Sequence, residues 1–231
     1  MPCIGTLLLT NRRAFGTVMP GRFYSSPSAA FDLGGKDAVA AGSAAPEETA
    51  LFLRICGCTS LITDGPAPRG WKEESRLTVF FSEPGHILPL PKILMPGGEV
   101  LQLTEELSPW DAASFLSENE GSDRDGLYAE LCAKKNRGLC RMWGYLLDGR
   151  LVSFCAVTGV TSAAGYMSCG CTAAALRGMG VGGNIIVRAA NAVTASGRRA
   201  EFLCGEERVH FYERLGFTRG GTMHRYCLSK E

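Results

Sequence analysis

Several features that would assign this 231-residue chain to a common class are missing from it. No apolar run approaches the roughly twenty residues needed to cross a bilayer. The 24 basic and 23 acidic residues nearly cancel, so there is no electrostatic case for binding nucleic acid or an anionic membrane. Ten cysteines are present, but none forms a C-x-x-C pair and there are only three histidines. We therefore expect no metal site. Several of the cysteines lie inside apolar predicted strands, which favours a reducing compartment.

The glycine-rich segment Arg177–Gly183 (RGMGVGG) joins two segments of different periodicity. Tyr166–Cys171 before it is suited to a strand, and Asn184–Ala195 after it predicts a helix with one apolar face. A strand, a glycine turn and a helix N-terminus form an anion site, because free N–H groups and the helix dipole point at the ligand. Arg177 adds a full positive charge. The segment therefore predicts a site for a pyrophosphate group.

The glycines alone leave three interpretations open. Gly178–Gly183 also satisfies G-x-G-x-x-G, the pattern of dinucleotide-binding loops. That interpretation requires an acidic residue about twenty positions later, at the end of the next strand. Glu201 lies near that distance, but at the start of its predicted strand. The third interpretation is a turn that only lets a helix pack closely on a sheet.

A second segment, Phe211–Phe217 (FYERLGF), favours the first interpretation. It follows a predicted buried strand, Ala200–Cys204, and lies in a short predicted helix, Arg208–Leu215, that Gly216 closes. Arg-Gly-x-Gly-x-Gly followed at this spacing by Phe-Tyr-x-x-x-Gly-Phe resembles the two signature motifs of the GNAT superfamily of N-acetyltransferases. The whole-chain pattern is similar to bacterial-type members with an N-terminal extension.

The resemblance implies an enzyme that passes an acetyl group from acetyl-CoA to an amine by direct attack. It implies that a backbone N–H in the Cys169–Thr172 stretch holds the oxyanion, and that Tyr212 is the general acid. A tyrosine hydroxyl with an ordinary pKa of about 10 carries its proton at neutral pH and can protonate a departing thiolate. The cofactor-binding residues that the resemblance implies are Cys171, Thr172, Arg177, Gly178, Met179, Gly180, Val181, Gly182, Gly183 and Phe211.

The sequence departs from the family pattern in two places. Many relatives carry a glutamate on the strand before the pyrophosphate loop, whereas Tyr166–Ala175 contains no carboxylate. Glu207 is the candidate base, acting through a water, with Glu206 and His210 as alternatives. The family also often has an asparagine just before the Phe-Tyr helix, and none occurs there. These departures support a second hypothesis, a catalytically inactive acyl-CoA-binding or interaction module.

The predicted fold class is α/β (α+β), with a GNAT-like mixed, mostly antiparallel sheet flanked by helices. Residues 98–231 form the predicted acetyltransferase domain, and residues 1–97 form a small α/β extension that ends in a proline-rich linker. Within the domain, Ser108 is the predicted N-cap of a helix, and Asp148-Gly149 is a predicted hairpin turn. Further predicted elements are a strand at Val100–Glu106, a turn at Gly220-Gly221 and a last strand at Met223–Leu228.

The extension carries weaker signals. Pro46–Ile55 predicts a helix and Pro84–Pro96 an extended linker. The first residues are basic and poor in acids, which is typical of a mitochondrial presequence over residues 1–24, whereas Gly5–Gly35 also suits strands and turns. We expect a cytoplasmic protein, with a mitochondrial one as the alternative. The expected acceptor is a small-molecule amine or a peptide or protein amine, and we expect a monomer or a homodimer.

Overall fold

The computed structural model describes residues 3–19, 21–95 and 99–229. Its helices and strands in chain order are α1 (Cys3–Phe15), β1 (Phe23–Ser25), β2 (Ala29–Gly34), β3 (Asp37–Gly42), α2 (Pro46–Ile55), β4 (Ser60–Thr63), β5 (Trp71–Ser82), β6 (Gln102–Thr104), α3 (Pro109–Glu120), α4 (Arg124–Lys135), β7 (Arg141–Leu147), β8 (Arg150–Val160), β9 (Ala164–Thr172), α5 (Val181–Ala195), β10 (Arg199–Gly205), α6 (Val209–Arg214) and β11 (Thr218–Leu228). Short 3₁₀ turns at Ala174–Leu176 and Glu206–Arg208 precede α5 and α6.

The chain divides into two compact units. The first comprises Met1–Phe80, Leu203–Phe211 and Arg219–Glu231, and the second comprises Phe81–Phe202 and Tyr212–Thr218. The domain boundary predicted between residues 97 and 98 falls outside the described residues, as does Pro96, the last residue of the predicted linker.

In the first unit, the strands lie in the order β1-β2-β3-β4-β11-β5. β2 and β3 form an antiparallel hairpin, and β3 runs parallel to β4 with α2 as the crossover between them. A buried cluster that includes Phe31, Leu53, Leu61 and Trp71 joins this helix to the strands. Pro46 stands in the first turn of α2 and Glu47 follows it, as the sequence predicts.

The N-terminal segment is a helix where the sequence suggested strands and turns. One face of α1 is buried, with Ile4 fully enclosed, and the helix packs on β2 and β3. Asn11 donates a hydrogen bond of 2.7 Å to the buried carboxylate of Asp32, which also pairs with Arg22. Buried residues of α1 occur at Ile4, Leu8 and Asn11, which is a helical spacing. The short apolar run Leu7–Leu9 makes this spacing difficult to recognise in the sequence.

In the second unit, the strand order is β10-β9-β8-β7-β6. All neighbours among β6, β7, β8 and β9 are antiparallel, whereas β9 and β10 are parallel with α5 as their crossover. Asp148 and Gly149 both take positive φ in the turn between β7 and β8, which confirms the predicted hairpin. The Ser108 side chain accepts a hydrogen bond from Trp110 N at the start of α3, so the predicted N-cap is also confirmed.

Helices cover both faces of this sheet. Cys171 of β9 packs into a cluster with residues of α3 and α4, including Phe115 and Leu131. The preceding residue, Gly170, faces α5: a Cβ built on it would lie 3.6 Å from the Ile186 side chain, which is van der Waals contact. Because successive residues of a strand point to opposite faces, α3 and α4 lie on one face and α5 lies on the other.

The predicted fold class is therefore confirmed, with two local corrections. The strand predicted at Val100–Glu106 is limited to Gln102–Thr104, with an isolated bridge from Glu106 to Met142. The turn predicted at Gly220-Gly221 is wrong, because both residues lie inside β11. Neither glycine takes a positive φ, so each is accommodated as extended backbone.

Candidate functional site

The segment between β9 and α5 forms a compact loop whose conformation depends on glycine. Arg177 is extended, and Gly178 and Gly180 both have φ of +80°. Residues other than glycine are strained in this left-handed region, because they carry a Cβ. Gly180 is the N-cap of α5, and its carbonyl accepts the N–H of Asn184 at 2.9 Å.

The N–H groups at the start of this loop lack backbone partners in the part of the chain that the structure describes. Within residues 3–19, 21–95 and 99–229, no backbone carbonyl accepts a hydrogen bond from the N–H groups of residues 178–182. The first turn of any α-helix leaves N–H groups without intrahelical partners, and the dipole adds about half a positive charge there. The loop is therefore suited to hold an anion.

Thr172 and Arg177 brace the loop against the end of β9. The Arg177 Nε donates a hydrogen bond of 3.1 Å to the Thr172 carbonyl, and the Arg177 side chain is exposed. The Thr172 hydroxyl is 2.8 Å from that of Ser153 on β8. A Cβ at Gly182 would lie 2.7 Å from this Thr172 hydroxyl oxygen, so the turn closes only with glycine there.

β9 is distorted next to the loop. Cys169 has φ of +57°, and the register between β8 and β9 shifts on both sides of Ala156. The pairing of β9 with β10 involves only Ala164–Tyr166 and Arg199–Glu201, so residues 167–172 lie beyond it. A strand that is bulged and partly released from its neighbour can direct a backbone N–H toward a ligand.

The cysteines of this strand are poor nucleophiles. Burial raises the pKa of the Cys169 thiol, and a hydrogen bond from Ser168 opposes this only in part. Burial, followed by the carboxylate of Glu120, raises the pKa of Cys171 to about 11. Because the thiolate is the reactive form, both residues act as packing groups near the loop.

Glu120 is a neighbour of β9 that the sequence analysis did not single out. It is the last residue of α3, and after burial its carboxylate is the next largest cause of the raised pKa of the Cys171 thiol. It thus brings to this strand the negative charge that Tyr166–Ala175 lacks. The helix that carries it is separated from β9 by more than forty residues of sequence, so no motif spacing could have indicated the contact.

Tyr212 lies in the second unit, near the start of α6. Its half-buried ring is 4.5 Å from the ring of Phe202 and 6.1 Å from that of Phe217, measured between centroids. Its carbonyl accepts the N–H groups of Leu215 and Phe217, which closes the helix at Gly216. The aromatic contacts fix the ring, and the motif's last phenylalanine supplies one of them.

Glu207 and Phe211, the other predicted site residues, lie in the first unit. Glu207 is in the 3₁₀ turn after β10, with 73% of its side chain exposed and its carboxylate 3.7 Å from Arg208. It contributes to a groove of about 640 Å³ with Glu73, Glu74 and Glu206. Phe211 is half-buried, and His210 is exposed. Glu207 is thus placed as a solvated carboxylate with a cationic neighbour.

The dinucleotide interpretation does not fit this unit. Dinucleotide-binding loops of that type belong to open parallel sheets, whereas four of the five strands here are joined by antiparallel pairing. Glu201 lies near the start of β10 and is only 1% exposed. Its Oε2 is 3.9 Å from Arg199 Nε. It is held inside the unit rather than presented at the end of a strand.

The residues that the structure describes, 3–19, 21–95 and 99–229, contain neither a metal-binding cluster nor a membrane-spanning helix. No group of three or more histidine, cysteine, aspartate or glutamate side chains is arranged to hold a metal ion in that part of the chain. No helix among the same residues is both long and apolar enough to cross a membrane.

Comparison with known proteins identifies the fold. No protein-family model matches the chain, and no curated protein matches it either. A GCN5-related N-acetyltransferase from Kribbella flavida is 16% identical, with a TM-score of 0.66 over 96% of this chain and 95% of its own. A putative GNAT-family acetyltransferase from Novosphingobium aromaticivorans DSM 12444 is 17% identical, with a TM-score of 0.61 over 96% and 97%.

A tandem GNAT protein from the clavulanic acid biosynthesis pathway is 14% identical, with a TM-score of 0.61 over 99% of this chain and 96% of its own. The chain therefore has the GNAT fold, and the resemblance inferred from the two motifs is confirmed at that level. The matched share exceeds residues 98–231, so the likeness also includes residues of the predicted extension.

Proposed function

We propose that this chain, which has the GNAT fold, is an acyl-CoA-dependent N-acyltransferase with acetyl-CoA as its donor. The observation that carries the proposal is the loop Arg177–Gly183 directly after the bulged strand β9. It combines an exposed guanidinium with N–H groups that have no backbone partner among the described residues. The acceptor is a primary amine of a small molecule, a peptide or a protein. The transfer is direct, because the cysteines of β9 are held as thiols.

The loop and the strand divide the work of the reaction. The N–H groups at the start of α5 and the Arg177 guanidinium bind the donor's pyrophosphate. The distorted stretch Cys169–Thr172 supplies a backbone N–H to the thioester oxygen, where negative charge develops during attack. An attacking amine must be neutral, so its proton leaves before or during carbon–nitrogen bond formation.

Tyr212 is the proposed general acid. Its hydroxyl would give its proton to the departing thiolate of coenzyme A, and the contacts with Phe202 and Phe217 would hold the ring in place. Glu207 is proposed as the base that accepts the amine's proton through a water, with Glu206 and His210 as alternatives. Its exposure and its Arg208 neighbour favour the second candidate function, a module that binds acyl-CoA without turnover.

The proposal is tested first by titrating the purified chain with acetyl-CoA and, as the control ligand, with NADH. Micromolar binding of acetyl-CoA alone supports the donor site, and Arg177→Ala should weaken it about tenfold through loss of a charge-assisted contact. Wild-type affinity in Arg177→Ala would contradict the loop assignment.

Turnover separates the enzyme from the inactive module. Thiol release is measured with a panel of amines, polyamines and peptides at saturating acetyl-CoA. We expect Tyr212→Phe to lower kcat by about 10²- to 10⁴-fold with donor affinity retained, because only the proton transfer is removed. Donor binding without product from any amine would favour the binding module.

We also propose a cytoplasmic location and a monomer or homodimer. None of the ten cysteines, all of which lie among the described residues, forms a disulfide, which suits a reducing compartment. Processing after Tyr24, as in the mitochondrial alternative, would remove α1 and uncover the face of β2 and β3 on which it packs.

A further inference from the structure

The proline-rich segment that the sequence assigned to a linker is bound along α5. We call residues 84–95 the strap. Its backbone runs antiparallel to α5. Polar side chains of α5, which would otherwise be solvated, form hydrogen bonds with it. The Thr194 hydroxyl donates to His86 O at 2.8 Å, and the Asn191 amide both accepts from Leu88 N and donates to Leu88 O. Asn184 donates to Pro91 O at 2.7 Å.

The strap ends against the glycine loop. Leu94 N donates to Met179 O at 2.9 Å, and a Cβ on Gly180 would lie 2.2 Å from Lys92 O. The Lys92 carbonyl can approach this closely only because residue 180 has no Cβ. The backbone of Lys92 is therefore fixed beside the residue that begins α5.

Lys92 brings a second cation to this place. Its side chain is exposed, and no carboxylate within the described residues lies close enough to pair with it. The other cation of the loop, Arg177, has its Nε engaged by Thr172 O. Because the Lys92 backbone lies beside Gly180, its four-carbon side chain can reach an anion bound at the start of α5, where the helix dipole also favours negative charge.

We propose that Lys92 binds a phosphate of the acyl-CoA donor, so that the strap forms part of the donor site. The inference rests on the proposed function and extends it to a residue outside both motifs. The ligand is a phosphate group, either the pyrophosphate or the 3′-phosphate of the same donor. A flexible four-carbon stem with a compact ammonium suits either one.

The test measures the dissociation constants of coenzyme A and of 3′-dephospho-coenzyme A by calorimetry, at low and at physiological salt. We expect Lys92→Gln to weaken binding by about 5- to 20-fold at low salt and less at high salt, because a screened charge is removed. Lys92→Arg should retain most of the affinity. Lys36→Gln, which removes an exposed lysine in the turn between β2 and β3, is the matched control.

The outcomes separate the two phosphates and the two proposals. A loss with both ligands supports a contact with the pyrophosphate, and a loss with coenzyme A alone supports a contact with the 3′-phosphate. Equal affinities of wild type and Lys92→Gln for both ligands would overturn the inference and leave the donor site standing. Failure of the wild type to bind either ligand would overturn both. Unchanged thermal unfolding of Lys92→Gln shows that the change is local.

Discussion

Gly180 allows the sharpest test of how the loop and the strap are built. Gly180→Ala places a methyl group 2.2 Å from a backbone oxygen, at a residue with φ of +80°. The left-handed conformation costs a residue with a Cβ about 1–2 kcal/mol. Forcing extra volume into a packed contact costs a further ~1–3 kcal/mol. We therefore expect unfolding to become easier by about 2–5 kcal/mol in total.

Gly178→Ala is the matched control, because Gly178 has the same φ of +80° with no atom within 4 Å of the added methyl group. It should lose only about 1–2 kcal/mol. For a chain of this size each kcal/mol lowers Tm by roughly 2–4 °C. Urea and thermal unfolding of the two variants therefore measure how much of the stability loss in Gly180→Ala comes from the contact with the strap. Equal losses would refute the close approach of Lys92 O to the loop.

Three further predictions concern the second unit. Asn191→Ala should cost about 1–3 kcal/mol, since Leu88 N and O lose their partner, and protease cleavage within the strap should become faster while cleavage elsewhere does not. Phe202→Ala should cost about 3–5 kcal/mol and Phe202→Leu much less, because the ring supports those of Tyr212 and Phe217. The third follows from burial, which raises the pKa of Cys155 to about 12 from an ordinary value near 9. The unfolded chain then releases this proton first, so stability falls as pH rises from about 9 toward 12, by at most ~1.4 kcal/mol per pH unit. The free energy of unfolding in urea should fall less between pH 8 and pH 10 in Cys155→Ala than in the wild type. An equal fall in the two proteins would contradict the raised pKa of Cys155.

Much of the secondary structure of the second unit could be predicted from the sequence, because it depends on neighbouring residues. Ser108 before Pro109 marks a helix start, Asp148-Gly149 marks a two-residue hairpin, and each depends on the conformations open to neighbouring residues. The loop at Gly178 and Gly180 is local in the same sense, since positive φ demands glycine. The failure at Gly220-Gly221 shows the limit of that rule, because glycine permits a turn without requiring one, and there the pairing of β11 keeps the chain extended.

The contacts between distant segments were decided only by the tertiary structure. Glu120 reaches Cys171 because α3 packs on the sheet beside β9, and no spacing in the sequence records that packing. The strap gave a linker signal because proline cannot support a helix or an inner strand. Its backbone groups then found partners on Asn184 and Asn191. The sequence alone determined the strand, the glycine loop and the helix of residues 166–195, because the backbone conformation there follows from glycine and the helix terminus. Lys92 came to the loop only through folding, because hydrogen bonds between residues about ninety positions apart hold it there.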